Sequence, residues 1–350
     1  MNILDPAIEY VNKTQLQKIE LIGKVCTKQE HTIKFDSAEA FVRNRMIDGH
    51  TAILMHEYVY FDVHNISTEQ LRDILMLSPY IRVSYDTEAI GFCYRVFLDI
   101  MADSRRMKAR MNLLNDASFV SDAFYIMLVN TPEFASLLYS GSDLMEKING
   151  GETNPYINKL VRIPAETIRK DYPEIYNITY KITTDRGVTH EAVRHTEMSF
   201  MQESTRWCNY TKERFGNSIN FITPDFSFIE DEDKRRNVEQ LIWDNLTQVE
   251  ADYQELTKEY DIPAQLSRCI LPNATKADIY ISGTLDMWIG EHLETIYPKL
   301  TIVENKGFLP LRDEKHAHPQ MKEVAAMIRK DIETRFSEEI KTLIENSMLC

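Results

Sequence analysis

The spacing of hydrophobic and polar positions changes several times along this chain, and each change predicts an element. Tyr58, Tyr60 and Asp62 alternate with Val59, Phe61 and Val63, the two-residue period of a strand. Residues 176–184 alternate again, with Ile178, Tyr180 and Ile182 on one face, and we expect these two strands to pair in one sheet. Residues 19–25 form a short β-rich run, and residues 219–223 a short strand. Helical spacing covers 68–77, 121–128 and 132–139, and a longer stretch, 88–114, carries Ile90, Cys93, Tyr94, Phe97, Ile100 and Met101. The clearest helix is 234–260, where Val238, Leu241, Ile242, Leu246, Val249, Tyr253, Leu256 and Tyr260 make one stripe and Pro263 ends it. A helix of that kind is more often core or a subunit contact than a site. Residues 275–294 and 319–343 are expected as further helices, and 300–310 as an irregular or strand segment.

Punctuation between these runs agrees with them. Asp36-Ser37-Ala38-Glu39 has the pattern of a capping box opening a helix that stops at Gly49, and Ser67 caps the helix at 68. The loop 149–155, Asn-Gly-Gly-Glu-Thr-Asn-Pro, is the strongest break. It contains no phosphate-cradling glycine motif.

Residues 184–210 stand out chemically. They run Arg194-His195-Thr196, then Ser199, then Gln202-Glu203-Ser204-Thr205-Arg206-Trp207, with Val193, Met198, Phe200 and Met201 between them. Arg, Ser, Thr and Gln suit the phosphate and carbonyl groups of a nucleotide. From chemistry alone, a half-buried site and a solvated helix end with its loop are equally good readings. Arg194, His195, Ser204 and Arg206, with Arg268 in Gln-Leu-Ser-Arg-Cys-Ile-Leu-Pro, form a candidate anion-binding set; a snorkelling Arg is the other reading of Arg268.

The totals narrow the field. A net charge of −14 over 350 residues argues against a general affinity for nucleic-acid backbones, but not against a small anion in a local basic pocket. Cys26, Cys93, Cys208, Cys269 and Cys350 are scattered and lack a CxxC pair, so neither a disulfide framework nor a structural zinc site is expected. His316 and His318 lack further ligands at a suitable spacing, and His190 and His195 fall on different helix faces, so no metal is expected. No nucleophile elbow is present, and Cys208 reads better as a buried small residue than as a nucleophile. With neither a basic-apolar leader nor a run of about 18 apolar residues, a cytoplasmic protein without a membrane span is expected.

The segment 194–207, RHTEMSFMQESTRW, resembles the signature RHRxxSxNExSxRY of flavin-dependent thymidylate synthases, the ThyX family, with Arg194, His195, Ser199, Ser204 and Arg206 on the family's positions. Further segments are similar to the family's in the same order: GHTAILMH at 49–56, Arg268 to Pro272, and His318 to Val324. The resemblance implies an α+β protein with the synthase fold, a central mostly antiparallel sheet with flanking helices. Residues 1–63 and 176–350 would form that domain and 64–175 a mainly helical insertion. It implies reductive methylation of dUMP to dTMP, with methylenetetrahydrofolate as carbon donor and FAD, reduced by NADPH, carrying the hydride. No protein nucleophile is then needed. It places His50, Arg194, His195, Thr196 and Gln202 at the flavin. It places Glu191, Gln202, Glu203, Ser204, Thr205, Arg206 and Arg268 at dUMP, with Arg194, Gln202, Ser204 and Arg206 as the catalytic set. It implies a homotetramer with sites shared between subunits.

The chain also departs from the family pattern. Thr196 replaces an Arg, Met201 and Gln202 stand for Asn and Glu, and Ala52 and Met55 replace a hydroxyl and a Glu. Thr284, Asp286 and Thr295 fall where the family has an Asn and two arginines. Losing an Arg that stabilises charge on the pyrimidine costs roughly 3 kcal/mol or more. Lys299, Arg312, Arg82, Arg95 and Arg105 are the candidate replacements. Two other readings of the same resemblance are an inactive flavin- or nucleotide-binding homologue and a flavin-dependent pyrimidine C5 hydroxymethylase.

Overall fold

Alternation along residues 177–185 does make a strand, and it lies at the centre of the molecule. The computed structural model describes residues 1–102, 104–139, 143, 146, 154–290, 307–313 and 316–347. In chain order the strands are β1 (Asn2–Ile3), β2 (Ala7–Tyr10), β3 (Tyr58–Asp62), β4 (Ile81–Val83), β5 (Ala89–Cys93), β6 (Asn177–Asp185), β7 (Ser199–Gln202), β8 (Asn220–Phe221) and β9 (Lys276–Thr284). The main sheet has the order β2-β6-β9-β7 and is antiparallel throughout, a second antiparallel sheet runs β3-β5-β4, and β1 pairs with β8 in parallel. With helices packed on these sheets the fold is α+β.

β6 and β9 pair over nine residues, from Asn177 opposite Thr284 to Asp185 opposite Lys276. Because side chains alternate, the two faces of this pair differ in character. Ile178, Tyr180, Ile182, Ile279 and Ile281 meet Trp288, Phe308 and the helix Pro319–Arg335, which contributes Met321, Val324, Ala325, Ile328 and Ile332 at helical spacing. Tyr180 is edge-on to Trp288 at 5.3 Å. The opposite face is polar and still buried. There Thr179, Ser282 and His56 share a chain of hydrogen bonds, 2.7 Å from Thr179 Oγ1 to Ser282 Oγ and 2.7 Å from Ser282 Oγ to His56 Nδ1. The second sheet belongs to another core, built from Ile19 through Ile175, in which Phe61, Phe92, Phe97, Phe124 and Phe134 pack together.

Several expectations change in three dimensions. β3 pairs with β5, not with β6; its contact with β6 is made by the Tyr60 hydroxyl, which accepts from the Asn177 amide at 2.9 Å. Residues 19–25 are not extended. They lie in the helix Gln15–Lys24 and the turn after it, and the fully buried Ile19, Ile22 and Val25 recur every three residues. The stretch 88–114 is not one helix. It opens with β5, whose five residues are all buried, and period alone does not separate such a run from a buried helix. Residues 275–294 are likewise strand β9 before the short helix Leu285–Ile289. Its two-residue period is disguised because its polar side chains are buried against partners. Residues 319–343 divide into two helices, Pro319–Arg335 and Ser337–Ser347.

The helix Glu232–Gln254 continues into a π-helical turn, Glu255–Glu259; of its stripe only Leu246 and Tyr253 are buried, while Leu241 and Tyr260 are each 63% exposed. Ser37 does precede a helix, Ala38–Ile47, but its hydroxyl donates to Glu20 instead of capping. Ser67 caps its helix as expected, and the cap is a reciprocal box with Gln70. Gly49 ends its helix with φ +77°, a conformation that favours glycine. The loop at 149–153 and most of 300–310 lie outside the described residues, although Phe308–Arg312 is helical.

Candidate active site

Strand β7 carries the motif and sorts its side chains by face. Ser199 donates to the Met55 carbonyl at 3.1 Å, and Met201 lies 3.2 Å from Cys26 Sγ, so both point to the layer that holds the Thr51–His56 turn. Gln202 takes the other face, where its amide donates to Thr189 Oγ1 at 2.9 Å on the helix Arg186–Ala192. After β7 the chain turns at Ser204, whose carbonyl accepts from the amides of Trp207 and Cys208.

The turn brings Thr205, buried at 5% exposure, to the edge of a pocket of 420 Å³. Its lining is Arg186, Thr205, Gln265, Leu266, Arg268 and Cys269. Three separate stretches therefore meet there: the start of the helix Arg186–Ala192, the turn after β7, and the segment around Ala264–Ser267 and Arg268–Ile270. Asp185 caps the first helix, accepting from the Val188 amide at 3.0 Å, and the Arg186 amide donates to the carbonyls of Asn273 and Thr275 at 2.9 and 3.1 Å. The last two bonds tie the start of this helix to the chain just after Arg268–Ile270.

Of the residues singled out from sequence, Thr205 and Arg268 line this pocket together. Arg206 is exposed and its guanidinium lies 5.7 Å from the Trp207 ring centre. Ser204 Oγ accepts from the Arg206 amide at 3.3 Å. Glu203 points the other way, 2% exposed, into a cluster with Lys276 at 3.1 Å, Lys28 at 3.2 Å and the Tyr210 hydroxyl at 2.8 Å. There Lys276 is held above the ordinary lysine range: burial lowers it, but Glu203 and Asp278 outweigh burial. Glu191 pairs with Arg312 at 3.5 Å. His50, Arg194 and Thr196 are exposed. His195 is turned inward, with its ring 5.8 Å from Phe308; burial and then the Arg312 charge lower its pKa to about 4, so it is neutral at pH 7. Its Nε2 is buried without a partner.

The departures also have definite places. Asp286 is buried and pairs with Arg82 of β4 at 2.6 Å, and Thr284 donates to the same carboxylate. Arg95 bonds Thr51 and Asp99, and Arg105 is exposed. Ala52 is exposed and Met55 half-buried. Thr295 and Lys299 lie outside the described residues. Burial pushes the Cys26 thiol up to about 11 and the Cys208 thiol up to about 12, which removes both as nucleophiles at neutral pH. Among the described residues no group of His, Cys, Asp and Glu could hold a metal ion, and no helix is long and apolar enough to cross a membrane.

Sequence reasoning misses Arg186, Gln265, Leu266 and Cys269 as site residues. For Arg186 a local signal exists: it directly follows an N-cap aspartate at a strand-to-helix junction, eight residues before the motif's first Arg.

An α+β chain with a basic pocket beside a strand-borne motif is consistent with a nucleotide-binding enzyme. The model of the family described as thymidylate synthase complementing protein matches residues 130–294, which contain β6, β7, β9 and all the pocket residues. This is the flavin-dependent thymidylate synthase family that the motif resembles, and the likeness holds over those residues. Among solved structures, the chain is similar to a UMP/dUMP methylase, PolB from Streptomyces cacaoi bound with 5-Br UMP, at 11% identity and a TM-score of 0.38, covering 98% of this chain and 96% of that one. No curated protein compared with the chain matches it.

Proposed function

We propose that the chain is an FAD-dependent thymidylate synthase that methylates dUMP at C5, with methylenetetrahydrofolate as carbon donor and NADPH as reductant. The observation that carries this reading is the meeting of Thr205 of the motif and Arg268 of the later segment, both placed at the nucleotide by the resemblance, in one pocket with a second guanidinium. Two guanidiniums and a hydroxyl suit a phosphate monoester, and Leu266 adds an apolar edge. Arg268 holds the phosphate and Thr205 donates to it. Gln202 presents a carboxamide, whose paired donor and acceptor match the edge of a uracil ring.

The residues at the flavin positions fit a dinucleotide cofactor. Arg194, Thr196 and His50 are solvent-facing donors, and His195 Nε2 is a buried nitrogen that still lacks a partner. When bound, reduced FAD supplies the hydride that, with the methylene carbon, completes the methyl group as the C5 proton leaves. Neutral His195 accepts or donates one hydrogen bond without adding charge. We further propose a cytoplasmic homotetramer in which a neighbouring subunit covers the exposed Arg194, Thr196, His50 and Arg206.

The test is tritium release from C5-labelled dUMP with NADPH, methylenetetrahydrofolate and FAD, read together with the product mass. Release with the mass of dTMP is expected. Release with a heavier product would replace methylation by hydroxymethylation, and no release would refute both. A second readout needs no turnover. Cys269 is exposed at the pocket, and dUMP should protect it from alkylation.

A further inference from the structure

We propose that the face formed by the helices Thr68–Leu77 and Arg105–Met111 is a docking surface for a short acidic segment of a partner protein that also carries apolar side chains. The inference is independent of the nucleotide reading, since it concerns a face outside the candidate site.

Arginines that form no ion pair among the described residues gather in two places. Arg186, Arg194, Arg206 and Arg268 belong to the candidate site. Arg72, Arg105, Arg106 and Arg110 sit on this pair of helices, and elsewhere only Arg214 and Arg235 go unpaired. In a chain with 54 acidic and 40 basic residues, a group of unpaired arginines does not follow from composition. No acidic residue occurs from Ser104 to Asn115. The face is also held in shape. Met107 anchors the second helix in the core, and the Arg110 guanidinium donates to the Leu77 carbonyl at the end of the first. The buried Asp73 accepts from the Asn115 side chain at 3.2 Å and from the Asp116 amide at 2.8 Å. Arg72, Arg105 and Arg106 are left exposed, with Met76 one turn beyond Arg72. Met101 and Leu113, the latter 70% exposed, bracket the second helix.

The properties of this face select its occupant. Guanidiniums pair with carboxylates and phosphates alike, so an anion is required. The apolar side chains among them are methionine and leucine, and arginine together with methionine is the composition of protein–protein interfaces. The two helices are only about 15 and 10 Å long, and the chain around them has a net charge of −14. A nucleic acid or a charged membrane would reach beyond such a face by more than a Debye length of about 8 Å and meet the acidic remainder of the surface. A second copy brings the same net charge of −14 and is repelled. A short acidic segment meets only the guanidiniums, and its apolar side chains cover Met76 and Leu113.

The experiment follows the fluorescence anisotropy of a labelled synthetic helical peptide with glutamate on one face and leucine on the other. It is titrated with wild type, with the triple variant Arg72→Gln/Arg105→Gln/Arg106→Gln and with the double variant Met76→Ser/Leu113→Ser. All five side chains are exposed, so the fold is expected to persist, and thermal unfolding checks each variant. Wild type is expected to bind the peptide, more weakly as salt rises. The triple variant should bind it about tenfold or more weaker, the summed effect of three exposed ion pairs. The double variant should lose affinity for this peptide but not for one in which glutamine replaces leucine. No binding to wild type, or equal binding to wild type and the triple variant, overturns the proposal. So does tighter, arginine-dependent binding of a single-stranded RNA oligomer or of phosphatidylglycerol vesicles, which would reassign the face to a nucleic acid or a membrane. Self-association at low salt that the triple variant abolishes would reassign it to a second copy and overturn the proposal as well. Binding of dUMP does not enter, so the nucleotide reading and this one fail separately.

Discussion

Replacing Glu203 with Gln should destabilise the protein by about 3 kcal/mol while leaving the pocket's affinity for dUMP nearly unchanged. Glu203 is 2% exposed and accepts from Lys276, Lys28 and the Tyr210 hydroxyl, while Lys276 also pairs with Asp278. Two carboxylates and two lysines balance there, with Lys181 a further 3.9 Å from Asp278. At an effective dielectric of about 20, charges 3.1 Å apart attract by roughly 5 kcal/mol. Gln removes that attraction and leaves the cluster with excess positive charge. The desolvation cost of the carboxylate is recovered in part, and Lys28 regains some water because its side chain is 18% exposed. Breaking one partner of a buried pair typically costs about 3–5 kcal/mol. Retention of one acceptor oxygen puts Gln at the low end. Urea denaturation at pH 7 measures the loss. Glu203→Gln combined with Lys276→Met should recover much of it, because the uncompensated charge is gone. A single-variant cost under about 1 kcal/mol, or a large loss of dUMP affinity at unchanged stability, would refute the reasoning and return Glu203 to the substrate.

Two other buried carboxylates give independent tests. Burial raises the Glu174 pKa to about 7, one of its oxygens lacks a partner, and the other accepts from the Tyr85 amide at 2.9 Å. A raised carboxyl contributes stability that is full below the unfolded value of about 4.5 and lost as pH rises through about 7, ~3 kcal/mol in all. Glu174→Gln should lack that decline; parallel stability–pH curves for the two proteins between about pH 4.5 and 8 would contradict the assignment. Asp286→Ala removes the buried carboxylate that accepts from both Arg82 and Thr284 and should cost about 3 kcal/mol in urea unfolding. A cost near zero would mean that the pair linking β4 to the helix Leu285–Ile289 contributes no net stability.

The motif segment of the candidate site is legible in the sequence, but only two of the six residues lining the pocket, Thr205 and Arg268, are. Arg194 to Trp207 can be read there because the motif is local: one short strand and the turn after it carry most of its residues. The helices beginning at Thr68 and Pro132 are also readable, and so is the 121–128 part of Ala117–Val129, since apolar spacing is a local property, as is the Ser67 cap. β9 is not. Its polar residues are buried, and what permits that is partners far away in sequence: Ser282 on His56 and Thr179, and Lys276 and Asp278 on Glu203 and Thr183. β3 is readable as a strand, but its partner is not, because alternation fixes which side chains share a face and says nothing of which strand lies alongside.

The same division runs through the pocket. Sequence alone names Thr205 and Arg268 as candidate ligand residues. Only the tertiary structure brings them together, turns Glu203 and His195 away into buried surroundings, and sets Arg186 beside them with an unpartnered nitrogen. Residue types determine which hydrogen bonds and charges are available, and long-range packing decides which of them remain unused and face a cavity.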